Sequence, residues 1–214
     1  VMGSGSAMGR GFIVLKTPNF SDDALKPDMT QFRALRNQWI TENLELGLAS
    51  LFSSADPSQI DRLRPSIFKR IGMILDAGSS ESRRFDEFIQ ALPNMRELLK
   101  PLPCVLINRD MKSSFQVTAE GQLICLSWGR TVADLLGVAF AAGISVQQGI
   151  EILNVDQLFE VLELSSHPEL TSSSDVLMLS FYLALLERSI SNQDFLLVFE
   201  LLEQVLGAYH RLRG

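Results

Sequence analysis

A chain of 214 residues with 46% hydrophobic and 21% charged residues is long enough for one domain, or two small ones, around a substantial core. This composition excludes a wholly disordered chain, because disorder goes with low hydrophobicity and high charge. The formal net charge of −6 is uneven: residues 1–130 carry 16 Lys and Arg against 14 Asp and Glu, whereas residues 131–214 carry 3 against 11. The acidic C-terminal part is a poor surface for polyanions, so any nucleic-acid contact is expected in the N-terminal part.

Residues 1–11 and the two cysteines indicate where the N-terminal segment comes from and in which compartment the protein is expected. Residues 1–11 contain a Gly, Ser and Met run typical of a cloning vector, and we predict that they are vector-derived or disordered. Two cysteines, Cys104 and Cys125, are too few for a fold built on several disulfides, which favours a reducing, cytoplasmic location. The longest strongly apolar run, residues 176–186, is shorter than the ~20 residues that a bilayer span needs, so it predicts a buried helix and no membrane span.

Residues 12–102 are predicted to form an N-terminal helical part. Apolar residues at helical spacing predict a helix over 28–52. A second helix is expected to begin near Asp56 and to restart at Pro65. A further apolar stripe follows, and Pro93 is expected to end it, leaving only a short helix after it.

Residues 103–127 change in character, because short runs of β-favouring residues alternate with turn residues. Gly121 can take the positive φ of a tight turn between two of these runs. The pattern predicts a small antiparallel β-hairpin element with two or three strands, at 105–107, 115–117 and 123–126.

Residues 128–214 are predicted to be entirely helical and to form one compact domain with the N-terminal part. The first of these helices would be capped by Ser127 or Thr131, and the most apolar one, residues 173–191, is expected at the centre. The fold class is therefore mainly α: a multi-helix globular domain with a small β element.

The residues that could perform chemistry are few. His167 and His210 are the only histidines, and no metalloprotease, nucleophile-elbow, phosphate-loop or dinucleotide motif occurs. Cys104 and Cys125 are interpreted as small buried hydrophobic residues, with a thiol-dependent enzyme as an open alternative. We predict a protein that is not an enzyme and that needs no metal or cofactor.

A basic cluster is the main charged feature, and it falls within about one helical hairpin. It comprises Arg62, Arg64, Lys69, Arg70, Arg83 and Arg84. The cluster predicts either a patch for nucleic acid or an acidic partner, or an ordinary solvated face interleaved with acidic residues.

Apolar residues supply the other candidates for partner binding. Trp128 stands at the predicted strand-to-helix junction, where it would be buried or line a groove. The last helix carries Phe195, Phe199 and Leu202 within more than one apolar stripe. One stripe suffices to pack on the domain, and a second would pack on another helix or on another chain, including a second copy.

Two short segments resemble a known family. Residues 67–76, Ile-Phe-Lys-Arg-Ile-Gly-Met-Ile-Leu-Asp, look like the death-motif helix of the B-cell-lymphoma apoptosis regulators. Residues 127–130, Ser-Trp-Gly-Arg, resemble that family's Asn-Trp-Gly-Arg element. The resemblance covers about 15 residues, and Met73 stands where the family has Asp. It implies a helical bundle that acts through protein contacts.

Together these patterns predict a non-catalytic protein–protein interaction or scaffolding module that acts through amphipathic helices and an apolar groove or patch. Binding of nucleic acid or an acidic partner through Arg62–Arg84 is the alternative, and an apoptosis-regulator-like bundle is a lesser one.

Overall fold

The computed structural model describes residues 3–7, 10–14, 30, 34, 37, 38, 40, 41, 58–108, 115–117, 123–125, 131–164, 170 and 173–214. Within these residues there are eight continuous helices: α1 (Ser58–Arg62), α2 (Pro65–Gly72), α3 (Ser80–Leu99), α4 (Leu136–Ala142), α5 (Val146–Ile150), α6 (Val155–Leu162), α7 (Ser174–Asn192) and α8 (Phe195–Arg213). The six strands in the same part of the chain are β1 (Gly3–Ala7), β2 (Arg10–Val14), β3 (Cys104–Asn108), β4 (Phe115–Val117), β5 (Leu123–Cys125) and β6 (Thr131–Leu135). The predicted fold class, mainly α with a small antiparallel β element, is confirmed.

The β element is a nested pair of ladders. β3 pairs with β6 in antiparallel register, from Cys104 opposite Leu135 to Asn108 opposite Thr131. Between them in sequence, β4 pairs with β5, with Phe115 opposite Cys125. The prediction that the chain is helical from residue 128 is therefore wrong for β6. The backbone of β3 needs a hydrogen-bonding partner, and β6 supplies it.

A third ladder joins β1 to β2, with Gly3 opposite Val14. Residues 1–11, predicted to be vector-derived or disordered, thus contribute β1 and the start of β2. Their origin stays a prediction.

Helix α3 runs unbroken through Pro93, so the expected interruption is wrong. A proline removes one backbone hydrogen bond from a helix interior and crowds the preceding turn. Here the apolar stripe continues on both sides of it, and Phe88, Leu92, Met95 and Leu99 are all at most 1% exposed. Packing of this stripe on the core outweighs the cost of the proline.

Helix α7 is the centre of the domain, as predicted from its sequence. All its residues from Leu177 to Leu186 are buried, and it contacts α3, α4, α5, α6 and α8. Such a helix is apolar on all sides because it has neighbours on all sides.

Two glycines set how closely the helices approach α7. A Cβ on Gly137 of α4 would lie 2.4 Å from Ser180 Oγ and 2.6 Å from the backbone N of Phe181. A Cβ on Gly149 of α5 would lie 2.4 Å from Leu185 Cδ1. The backbones of α4 and α7 therefore meet at a distance that only glycine allows at position 137.

The helix predicted at 28–52 falls mostly outside the described residues. The six that are described, at 30, 34, 37, 38, 40 and 41, are helical. The Asn37 side-chain amide donates to the carbonyl of Leu162, at 2.7 Å, which ties this segment to the end of α6. In the described ranges, no helix combines the length and the apolar character needed to cross a bilayer.

Candidate interaction surface

Arg62, the first residue of the basic cluster, is directed into the domain. Its Nη1 lies 3.2 Å from Asp134 Oδ2, and its Nε donates to Glu187 Oε2 at 2.9 Å. Burial disfavours the charged guanidinium, but attraction and hydrogen bonds from Glu187 and Asp134 outweigh it and raise the pKa of Arg62. Arg62 is thus committed to two internal carboxylates.

A buried polar clasp surrounds this arginine; we use the term for Gln59, Arg62, Asp134, Ser180 and Glu187. The backbone N–H of Gln59 donates to Asp134 Oδ1 at 2.7 Å. The Gln59 side-chain amide donates to the carbonyl of Ser180 at 2.8 Å, and Ser180 Oγ donates back to Gln59 Oε1 at 2.6 Å. Gln59, Asp134 and Ser180 are fully buried. The clasp joins α1 to β6 and α7, and its role is structural.

The other members of the basic cluster divide into paired and unpaired cations. Arg64 lies 3.6 Å from Asp61, and Arg84 pairs with Glu203 of α8. Among the six residues of the cluster, all of which are described, three are exposed and have no ion-pair partner in the described part of the chain: Lys69, Arg70 and Arg83. The six residues do not form one free patch, since half of them are held by carboxylates of the domain.

One of the unpaired cations, Lys69, lines an open groove between α2 and α3, and Arg70 is the next residue along α2. The groove has a volume of about 490 Å³, and its lining residues are Pro65, Ser66, Lys69, Gly72, Met73, Phe85, Asp86 and Ile89. Phe85 is 9% exposed and Ile89 half-buried, so the α3 side is anchored in the core. Lys69 and Asp86 are the only charged side chains in this lining.

Exposed apolar side chains concentrate on α2 and just after it, and one of them, Met73, lines the groove. Ile67 is 45%, Met73 77% and Ile74 49% exposed, and they make up three of the five large exposed hydrophobic residues in the described part of the chain. Ile67, Met73 and Ile74 were not among the partner-binding candidates named from the sequence. The signal was present: residues 67–75 contain six large apolar residues, more than one helix face can bury. Contiguous exposed apolar surface marks interaction sites in soluble domains.

The candidate residues of the last helix are partly or fully covered by the rest of the domain. Leu202 is 1% exposed, and Phe195 and Phe199 are half-buried against the core. Leu196, which was not among the candidates, is 85% exposed. Trp128 lies outside the described residues.

The cysteines and histidines show no activated nucleophile among the described side chains. Cys104 is buried in β3, and burial together with the charge of Asp134 raises the pKa of its thiol. Reactive cysteines need the opposite shift. His210 Nε2 lies 2.7 Å from Glu87 Oε1 on the surface. His167 and the Cys125 side chain lie outside the described residues, and no group of three or more His, Cys, Asp or Glu is placed to hold a metal ion in the described part of the chain.

The comparisons with known proteins identify no relative of this chain. No family model matches the chain, and neither the curated proteins nor the solved structures contain a significant match.

Proposed function

We propose that this protein is a non-catalytic protein–protein interaction module, and that its docking site is the α2–α3 groove. One observation carries the proposal: Met73, which is 77% exposed, lines an open groove together with Phe85 and Ile89, and two further exposed hydrophobic residues, Ile67 and Ile74, lie on α2 and just after it. A pocket with apolar walls and a few charged groups at its edge is the usual form of a protein-binding site.

The alternative, nucleic-acid binding through Arg62–Arg84, has less support. Phosphate contacts require cations that are free to approach the backbone. Arg62 and Arg84 are held by Asp134, Glu187 and Glu203. The three remaining exposed cations are few for a polyanion surface.

The test compares two substitutions that each place a carboxylate at an exposed apolar position. Met73→Glu changes the groove, whereas Leu196→Glu changes an even more exposed site on α8. Burying a methionine side chain in a partner contributes about 1.5–3 kcal/mol, so Met73→Glu is expected to weaken binding about tenfold or more. Leu196→Glu should leave it unchanged.

Partners captured by the wild-type protein would be purified, and their affinities measured by calorimetry against all three proteins. Circular dichroism would first establish that both variants fold. The proposal fails if every purified partner binds Met73→Glu as tightly as the wild type.

A further inference from the structure

We propose that the occupant of the α2–α3 groove is an acidic amphipathic helix of a partner protein. Its apolar stripe would lie in the groove, and its carboxylates beside Lys69 and Arg70. This inference rests on the proposed function and specifies the chemistry of the partner.

The walls of the groove favour a helix over an extended strand. Both walls are helices, whose interior N–H and C=O groups are already paired within α2 and α3. A strand that binds by backbone pairing needs an unpaired sheet edge, which this site does not offer. A helix brings its own backbone hydrogen bonds and presents only side chains.

The groove also has the contour that suits a stripe of side chains. On α2 and its C-terminal cap the lining positions 65, 66, 69, 72 and 73 recur at helical spacing, and on α3 the positions 85, 86 and 89 do the same. Gly72 brings α2 close to α3, since a Cβ there would lie 3.0 Å from the Phe85 ring. At this point the groove is bounded by Gly72 and the apolar ring of Phe85.

The charged residues of α2 indicate which kind of partner helix would fit the groove. Helix α2 contains Lys69 and Arg70 and no acidic residue. Met73 and Ile74 lie one turn further on, so each cation stands beside an exposed apolar side chain. Glutamate or aspartate next to the apolar stripe of a partner would meet these cations, and complementary charges of this kind mainly set specificity and association rate.

The α3 rim carries the opposite charge at one point. Asp86 lines the groove there, and Arg83 is exposed one turn before it. Asp76 is also exposed, in the connection that leads from α2 to α3. The cations still predominate at the α2 rim, where the apolar surface is most exposed.

The experiment uses two synthetic helical peptides of about four turns with the same leucine stripe. One carries glutamate on its polar positions and the other carries lysine. Each is labelled with a fluorophore, and its binding to the full chain is measured by anisotropy at low and at high salt. We expect the acidic peptide to bind about tenfold more tightly than the basic one at low salt, with the difference shrinking as salt is added.

Three variants test which residues cause the difference in affinity between the two peptides. The double variant Lys69→Glu/Arg70→Glu is expected to reverse the preference between the peptides. Met73→Glu should weaken both. The control is Lys100→Glu, an exposed cation that pairs with Glu97 just beyond the far end of α3, and it should change neither affinity.

The outcomes separate this inference from the proposed function. Equal affinity for both peptides, with loss in Met73→Glu, overturns the acidic preference and leaves the groove as a docking site. Binding of the acidic peptide that depends on Lys69 and Arg70 but not on Met73 shows adhesion to surface charge and overturns the helix-in-groove arrangement. Failure of both peptides to bind also overturns the inference, whereas the proposed function is judged by the purified partners.

Discussion

Replacing Gly137 by alanine tests how closely α4 and α7 are packed. The added methyl group would lie 2.4 Å from Ser180 Oγ and 2.6 Å from the backbone N of Phe181. Unstrained contacts of carbon with such atoms are about 3.5 Å. The two helices would have to separate by about 1 Å, because a backbone atom cannot rotate away as a side chain can.

The expected cost follows from two opposing terms. Overpacking a well-packed core typically costs about 1–3 kcal/mol. Alanine recovers at most about 1 kcal/mol through its higher helix propensity. Because the overlap involves backbone, the upper part of the first range applies, and we expect Gly137→Ala to lower the free energy of unfolding by about 2 kcal/mol. At this chain length that lowers Tm by about 4–8 °C.

The assay is denaturant unfolding followed by circular dichroism, with two controls. Gly207→Ala on α8 has no atom nearer than 3.7 Å to the new methyl group, so it should be neutral or stabilise by up to about 1 kcal/mol. In a Ser180→Ala background the cost of Gly137→Ala should persist, because the Phe181 backbone remains in place. A loss below about 0.5 kcal/mol, or full rescue by Ser180→Ala, would refute the reasoning.

Three further predictions concern buried or terminal hydrogen bonds. Asp134→Ala should destabilise the domain by about 3–5 kcal/mol in thermal and denaturant unfolding, because it leaves the buried N–H of Gln59 and part of the Arg62 charge without its acceptor; a cost near that of an exposed residue would contradict the clasp. Tyr182→Phe removes the hydrogen bond to the carbonyl of Ile152 and should cost about 1–3 kcal/mol. Burial raises the pKa of Tyr182 to about 12, above the unfolded value of 10.0. The stability that the protonated Tyr182 contributes is therefore complete below pH 10 and is lost as pH rises through 12. The free energy of unfolding of Tyr182→Phe, measured across about pH 9–12, should lack this pH-dependent loss, and identical pH profiles for the variant and the wild type would count against it. Ser79→Ala removes the acceptor at the start of α3 and should cost about 0.5–2 kcal/mol by thermal melting, while Ser79→Asp should retain most of the stability.

Local signals in the sequence were sufficient for several helices. The restart at Pro65 and the central position of α7 were predicted. Each depends on residues within one or two turns. The interruption at Pro93 was wrong because the proline's local cost is outweighed by core packing that the local sequence does not show.

Features that depend on distant partners could not be read in the same way. Strand β6 forms because β3 lies beside it, and the sequence of neither segment identifies the other as its pairing partner. From the sequence alone Arg62 looks like an ordinary surface cation. The two carboxylates that bind it, Asp134 and Glu187, lie 72 and 125 positions away in the chain. The exposure of Met73 depends likewise on which faces of α2 the rest of the domain covers. The sequence therefore predicted an apolar groove or patch but not its position between α2 and α3.

The buried clasp also bears on how the chain can be divided. Its one cation comes from α1, whereas its two carboxylates come from β6 and α7. A fragment that starts after α1 would retain both acids around a vacated guanidinium position, and like charges in a poorly hydrated interior repel strongly. We therefore expect the N-terminal helices and the C-terminal bundle to fold as one unit, and neither to be stable when it is expressed apart from the other.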